Sequence, residues 1–367
     1  MSMIRIILWV NLHFSKIEID IMSNSKNWIK CCRILANLAA TALFLSSQVS
    51  AAPEINIYSA RKEALIKPLL DKFTVHTGIK VNLVTGKADT LLKRLTSEGV
   101  NSPADILLTS DAGRLHRAKI AGVTQAFKSK QLESAIPSRY RDPEGHWVGL
   151  SLRLRPILYL RDIVNSDELS SYEDLANSKW KGRICIRSSG NIYNQSLVAS
   201  LIAANGEAAT EQWAKSFVAN FARSPKGGDR DQIKAAASGQ CDIAIANTYY
   251  LASMLKSSES NQALARKMAV FWPNQENRGA HVNISGATLT RSSKNRDNAI
   301  KLIEFLASKE AQQWYAEING EYPERRNTPV SKLLKEWGTF NTDSLNLSRL
   351  GELNTKAVML MDRVGWK

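Results

Sequence analysis

After residue 53 the apolar pattern switches period again and again, and that alternation restricts what the chain can fold into. Ile55-Asn56-Ile57-Tyr58 reads as a strand. Residues 63–76 then put Leu65, Leu69 and Phe73 on one helical face, with Ile66 and Leu70 beside it. Lys80 to Val84 is a second strand, Leu91, Leu92 and Leu95 mark a second helix, and Asp105 to Leu108 is a third strand. A helix follows over 111–121. Strand and helix in turn imply a parallel sheet with helices on both faces.

The middle of the chain repeats the theme. It has strands at 155–160 and 183–187, helices at 194–205 and 207–221, a helix opened by Gly228-Asp229, and a strand from Cys241 to Ala246. A loop after Pro273 leads to a strand at Val282 to Leu289, and helices dominate from 295 onward. The length of 367 residues suits two or three domains. No Gly-, Ser- or Pro-rich linker divides the halves, so two α/β lobes joined by short strands fit better than separate beads. With 44% hydrophobic and 23% charged residues, the composition excludes disordered, collagen-like and disulfide-dense classes. No run of about 18 apolar residues exists, which excludes a polytopic membrane protein. The formal charge of +15 is scattered and interleaved with acids, without a basic stripe carrying aromatics. A solvated basic surface, not nucleic-acid binding, is the expectation.

The front of the chain reads as an address. Met22 is followed by Lys26, Lys30 and Arg33, then by an apolar stretch from Ile34 to Leu45, then by Val49-Ser50-Ala51. This is the order of a secretory signal, expected at 22–51 with cleavage after Ala51 or Ala52, and it implies a periplasmic protein. Residues 1–21 are read as an upstream mis-start, with a short anchor as the alternative. Cys31 and Cys32 precede the apolar stretch, which excludes a lipoprotein cysteine. Cys185 and Cys241 remain after cleavage, and in an oxidising compartment they are either a disulfide or two buried thiols.

In open α/β lobes, ligands bind beyond the carboxyl ends of the strands. Two unusual stretches fall there. Asn247-Thr248-Tyr249-Tyr250 follows one strand and opens a helix, and Tyr193 does the same in Arg187-Ser188-Ser189-Gly190-Asn191-Ile192-Tyr193. Helix N-termini favour phenolate. Three phenolates would cancel the charge of a trivalent cation, a hard ion that prefers anionic oxygen. Ordinary core or surface tyrosines remain the alternative on spacing alone. At the first strand's end, Arg61 and Ser59 can hold a small anion, with Arg153 and Arg155 adding charge; a solvated helix start is the other reading. Ser59-x-x-Lys62 matches the S-x-x-K of serine acyl enzymes, but neither S-D-N nor K-T-G accompanies it. His76, His116, His146 and His281 lack ligand spacing and read as structural.

These stretches, with Tyr58-Ser59-Ala60-Arg61 and the run from Ser188 to Ser200, resemble the ferric-iron-binding periplasmic proteins of ABC transporters. Gly86-Lys87-Ala88-Asp89, Ser102-Pro103-Ala104-Asp105, Trp180-Lys181-Gly182-Arg183, Phe271-Trp272-Pro273-Asn274-Gln275, His281-Val282-Asn283-Ile284-Ser285-Gly286 and Gly365-Trp366-Lys367 extend the resemblance over the whole mature chain. It implies a two-lobed periplasmic-binding-protein fold of type II, each lobe a sheet flanked by helices, with ligand in the interlobe cleft. Lobe 1 would comprise 52–152 with 276–325 returning to it. Lobe 2 would comprise 153–275 with the C-terminal helices of 326–367 packed on it. The resemblance further implies a monomer without catalysis that takes Fe3+ or a ferric chelate to an inner-membrane ABC permease. Its metal ligands would map onto Tyr193, Tyr249 and Tyr250. Where some relatives read Arg-His-Tyr this chain has Arg61-Lys62-Glu63, and where others carry a Glu it has Ser110. Carbonate or a similar anion on Arg61 and Ser59 would fill the missing positions, with Glu63 as an alternative ligand. Another small organic or anionic solute, and a hydrolase built on Ser59 and Lys62, are the rival functions.

Overall fold

The computed structural model describes residues 53–325 and 327–367. The upstream start, the signal sequence and its cleavage site lie outside the described residues. The first strand, β1 (Glu54–Ser59), is followed by helix α1 (Lys67–Thr77), β2 (Lys80–Thr85), α2 (Ala88–Glu98), β3 (Ile106–Ser110), α3 (Ala112–Ile120) and β4 (Trp147–Leu154). The helix expected over 63–76 begins only at Lys67, after a separate 3-10 turn at Glu63–Leu65. Pro68 is the reason, since proline is tolerated in the first helical turn but not within a helix. Leu69, Leu70 and Phe73 are buried as the spacing required, and Gly78 ends the helix in the left-handed conformation at φ 70°.

The chain then crosses at Arg155-Pro156 to β5 (Ile157–Leu160), β6 (Ile184–Cys185), α4 (Ile192–Asn205), α5 (Glu207–Ala219), α6 (Asp229–Ala237), β7 (Ile243–Ile245), α7 (Thr248–Leu255), α8 (Glu259–Arg266) and β8 (Met268–Phe271). It returns through 272–281 to β9 (Val282–Leu289), α9 (Arg296–Leu306) and the C-terminal α10 (Ser348–Glu352) and α11 (Asn354–Arg363). Two sheets result, with strand orders β2-β1-β3-β9-β4 and β6-β7-β5-β8. The expected parallel sheet is in fact mixed: β1, β2 and β3 are parallel, whereas β9 runs antiparallel to both β3 and β4. The reason is topological, because a strand returning from the second sheet enters the first from the opposite end. β4, absent from the sequence reading, is buried at all eight positions and carries a bulge between Gly149 and Ser151. Leu150-Ser151-Leu152-Arg153-Leu154 does alternate as a strand should, but its polar side chains are buried as well, bonded to Glu321 and Ser285.

Each sheet buries aliphatic side chains beneath its helices, among them Ile55, Ile57, Ile106 and Leu108 in the first and Ile184, Ile243 and Ile245 in the second. Cys185 and Cys241 form a disulfide in the second lobe, with sulfurs 2.05 Å apart. The C-terminal helices touch both lobes: α10 packs on α3 and α4, and α11 on α4 and α5. A side chain on Gly351 would put a Cβ 2.2 Å from that of His116, so only glycine lets α10 come this close to α3. Among the described residues, no helix is long and apolar enough to cross a membrane.

Candidate metal centre

The carboxyl ends of β3, β6 and β7 converge on one cavity of about 460 Å3, lined by residues from both lobes. Tyr193 sits in the first turn of α4, and Tyr249 and Tyr250 in the first turn of α7. All three line the cavity. The Tyr249 and Tyr250 rings are 4.3 Å apart between centroids. Lobe 1 supplies Ala60, Arg61, Lys62 and Ser110, and Arg153 stands at the end of β4 where the chain leaves for lobe 2. The expected sites on three separate stretches of sequence are therefore brought together.

Arg153 organises the centre. Its Nη1 donates to the Tyr249 hydroxyl at 2.9 Å and to the Tyr193 hydroxyl at 3.4 Å, while its Nε donates to Ser285 Oγ at 2.6 Å. Its Nη2 pairs with Glu321 Oε1 at 2.8 Å. The other Glu321 oxygen takes Arg61 Nη2 at 2.6 Å and the Ser151 hydroxyl at 2.5 Å. Glu321 thus holds two guanidinium groups in buried, charge-assisted bonds. Burial alone would push its carboxyl up, but Arg61 and Arg153 hold it below the usual range. The Nη1 of Arg61 has no hydrogen-bond partner among the described residues.

The phenols differ electrostatically. Burial pushes Tyr193 up, yet the Arg153 guanidinium and the hydrogen bonds from Ser110 and Tyr249 bring it below the ordinary phenol value. Ser110 Oγ lies 3.3 Å from the Tyr193 hydroxyl, so the end of β3 in lobe 1 touches the phenol cluster. Burial keeps Tyr249 well above the ordinary value despite Arg153. Tyr250 is pushed up to about 12, by burial first and then by the negative charges at Tyr193 and Asp229. Neighbouring phenols cannot all ionise without a cation among them. The arrangement is chemically suited to a multivalent cation that displaces their protons.

Other expected residues sit elsewhere. Ser59 is wholly buried, and its Oγ accepts the backbone N–H of Arg61 at 3.1 Å. As the inward-facing last residue of β1 it closes a local turn, so it is not among the cavity-lining residues and offers no exposed nucleophile. Lys62 is exposed and lines the cavity, and among the described residues no hydrogen bond joins it to Ser59. Glu63, the expected alternative ligand, is exposed at the start of the 3-10 turn and is not among the cavity-lining residues. Arg155 lies beneath the second lobe's loops instead of in the cavity. Arg230, with its guanidinium 5.1 Å from the Tyr250 ring centroid, and Lys256 also line the cavity. No motif marks Arg230, Lys256 or Glu321 in the sequence, since each acquires its partner only through folding.

A model of the bacterial extracellular solute-binding proteins matches residues 101–346. Iron uptake protein A1 of Synechocystis is 50% identical over 315 residues, covering 86% of this chain and 88% of its own. The Fe(3+)-binding periplasmic protein of Serratia marcescens is 30% identical over 342 residues, covering 89% and 99%. Among solved structures, a Trichodesmium protein in complex with iron and citrate ligands is 52% identical with a TM-score of 0.84, covering 86% of this chain and all of that one. The apo form of FutA2 from Synechocystis is 44% identical with a TM-score of 0.82 over the same share. These likenesses extend across both lobes and the strands that join them, and the chain belongs to the family of bacterial extracellular solute-binding proteins.

Proposed function

We propose that the protein is a periplasmic Fe3+-binding protein that carries iron to an inner-membrane ABC permease, with Tyr193, Tyr249 and Tyr250 as metal ligands. The observation that carries this reading is the convergence of three phenols on one cavity, two of them bonded to the same Arg153 nitrogen. A relative named for Fe(3+) binding, another named for iron uptake and a structure with iron and citrate ligands support it. Fe3+ is acidic enough to strip phenol protons, and three phenolates balance its charge.

Three phenolates leave part of an octahedral shell open. Among the described residues no cluster of histidine, cysteine and carboxylate groups stands ready to complete it. A small anion such as carbonate, or the carboxylates of a ferric chelate, would supply the remaining oxygens. Arg61 is the anion's anchor in this reading, because its Nη1 has no hydrogen-bond partner among the described residues and it lines the same cavity as the phenols. The lobes would close over the loaded site, since contacts made only in the closed form shift the population towards it.

The test is spectroscopic. The mature protein mixed with ferric citrate is expected to show a visible phenolate-to-iron charge-transfer band. The double variant Tyr249→Phe, Tyr250→Phe should lose that band and bind iron at least ~1,000-fold more weakly, as removal of direct ligands costs more than the loss of outer-shell partners. A colourless wild type would defeat the iron reading. It would favour a different small solute, organic or anionic, and an anion is one that the cavity's Arg61, Lys62, Arg230 and Lys256 could attract.

A further inference from the structure

Behind the tyrosine cluster lies a second polar network that forms no part of the cavity wall. Its centre is Arg155, 1% exposed. One guanidinium nitrogen donates to Asp229 Oδ1 at 2.9 Å and to Asn247 Oδ1 at 3.0 Å. The other donates to Asn194 Oδ1 at 2.6 Å and to the Ile245 carbonyl at 3.2 Å. Asp229 in turn takes Arg187 through its second oxygen at 2.6 Å.

The identity of these partners matters more than their number. Asn194 immediately follows Tyr193, and its amide also donates to the Arg187 and Ser188 carbonyls, which fixes the loop before α4. Asn247 is the cap residue of α7, two positions before Tyr249, and Ile245 ends β7. One planar group therefore grips both of the segments that carry phenols. Other side chains also bridge them, Arg153 at the hydroxyls and Asp229 between Arg187 and the Asn247 N–H, but the backbone does little to join them at this end. β6 and β7 pair at only two positions, Ile184 with Ile243 and Cys185 with Ala244. Beyond those strands, among the described residues, no backbone hydrogen bond links 186–193 to 246–250. Stability alone does not require such a group, because a buried ion pair can often be replaced by apolar side chains without loss.

We propose that Arg155 is a positioning residue for metal binding: without touching the metal, it sets the spacing of Tyr193 relative to Tyr249 and Tyr250. The proposal rests on the reading of those tyrosines as the iron ligands. Arginine suits the task because its rigid planar fork reaches several acceptors at fixed angles, which a lysine ammonium on a flexible stem does not. Loosening the splint lets the two phenol-bearing turns drift apart. Both metal affinity and the energy of the phenolate-to-iron transition depend on that spacing.

The test compares wild type, Arg155→Lys, Asn194→Ala and the double variant, each as the mature disulfide-bonded protein loaded from ferric citrate. Affinity is measured by competition with a chelator, the band maximum by visible absorption, and integrity by melting temperature. Arg155→Lys should fold, bind iron about 10- to 100-fold more weakly, and shift the band maximum. Asn194→Ala should weaken binding on its own yet add little to Arg155→Lys, because the lysine has already given up that arm. Wild-type affinity and band in Arg155→Lys would overturn the proposal. So would an affinity loss with an unshifted band, or additive losses in the double variant. If Arg155→Lys does not fold, Asn194→Ala and Asn247→Ala carry the question, and unshifted bands in both would overturn it. A wild type without any band would instead remove the metal reading itself, which separates the two failures.

Discussion

At the scale of single residues, the centre is a contest between burial and one cation. Tyr249 and Tyr250, like any phenol, are protonated at neutral pH, burial pushes both still further up, and both would have to release protons to bind metal as phenolates. Protons then compete with the metal, so affinity must fall as pH falls. Tyr250→Phe should release about one proton fewer per iron than wild type and show a correspondingly shallower loss of affinity with acidity. Calorimetric titration in buffers of differing ionisation enthalpy measures that count directly. An unchanged proton count would mean that Tyr250 does not enter as phenolate. The tyrosines themselves were legible in the sequence because they directly follow short apolar runs and open helical ones. Their inequality was not, since it comes from neighbours that only the fold brings up: Arg153 and Ser110 lower Tyr193, while burial, the other phenols and Asp229 raise Tyr249 and Tyr250.

At the scale of elements, the phenol-bearing turns hang from two short strands of the second sheet. β6 has two residues and β7 has three, so their hydrogen bonds are few. The disulfide between Cys185 and Cys241 ties this pair at the base and closes a loop of sequence separation 56. A loop of that length corresponds to about 4 kcal/mol in the chain-entropy account of disulfide stabilisation. The double variant Cys185→Ser, Cys241→Ser should therefore unfold at lower urea, with a loss of ~2–4 kcal/mol by linear extrapolation. No measurable change in the urea midpoint would rule out that contribution. Sequence reading left the disulfide and two free thiols both open, for a definite reason: a bond depends on the distance between Cβ atoms, and spacing along the chain does not encode it. The same limit applies to β4: its alternation over Leu150–Leu154 was in the sequence, but the burial of Ser151 and Arg153 depends on Glu321 and Ser285 far along the chain.

At the scale of the whole molecule, the C-terminal helices join the lobes from outside. α10 lies against α3 of the first lobe and α4 of the second, and α4 begins with the turn that carries Tyr193. Within the interior, Asp111 caps α3 through the Gly113 N–H and also accepts from Ser196 on α4 and Asn283 on β9. The reading that assigned 326–367 to the second lobe is thus incomplete, as part of that segment packs on the first. Gly351→Ala would drive a methyl group into His116, and helix backbones cannot shift without disturbing both lobes. A loss of about 1–3 kcal/mol is expected from thermal or urea unfolding, the usual cost of overpacking. A variant as stable as wild type would show that α10 moves freely on α3.

The amino-acid sequence by itself determined the alternation of elements, the two-lobed α/β class and the three phenols at strand ends, because each is written in short-range periodicity and turn chemistry. Tertiary structure alone decided which cations meet them. Glu321 reaches Arg61 across 260 positions and Arg153 across 168. Arg155 finds Asn194, Asp229 and Asn247 from three different elements. Such contacts leave no local signature: a charged side chain has the same neighbours in sequence whether its partner is solvent or a buried carboxylate, and only the closing of the fold settles which.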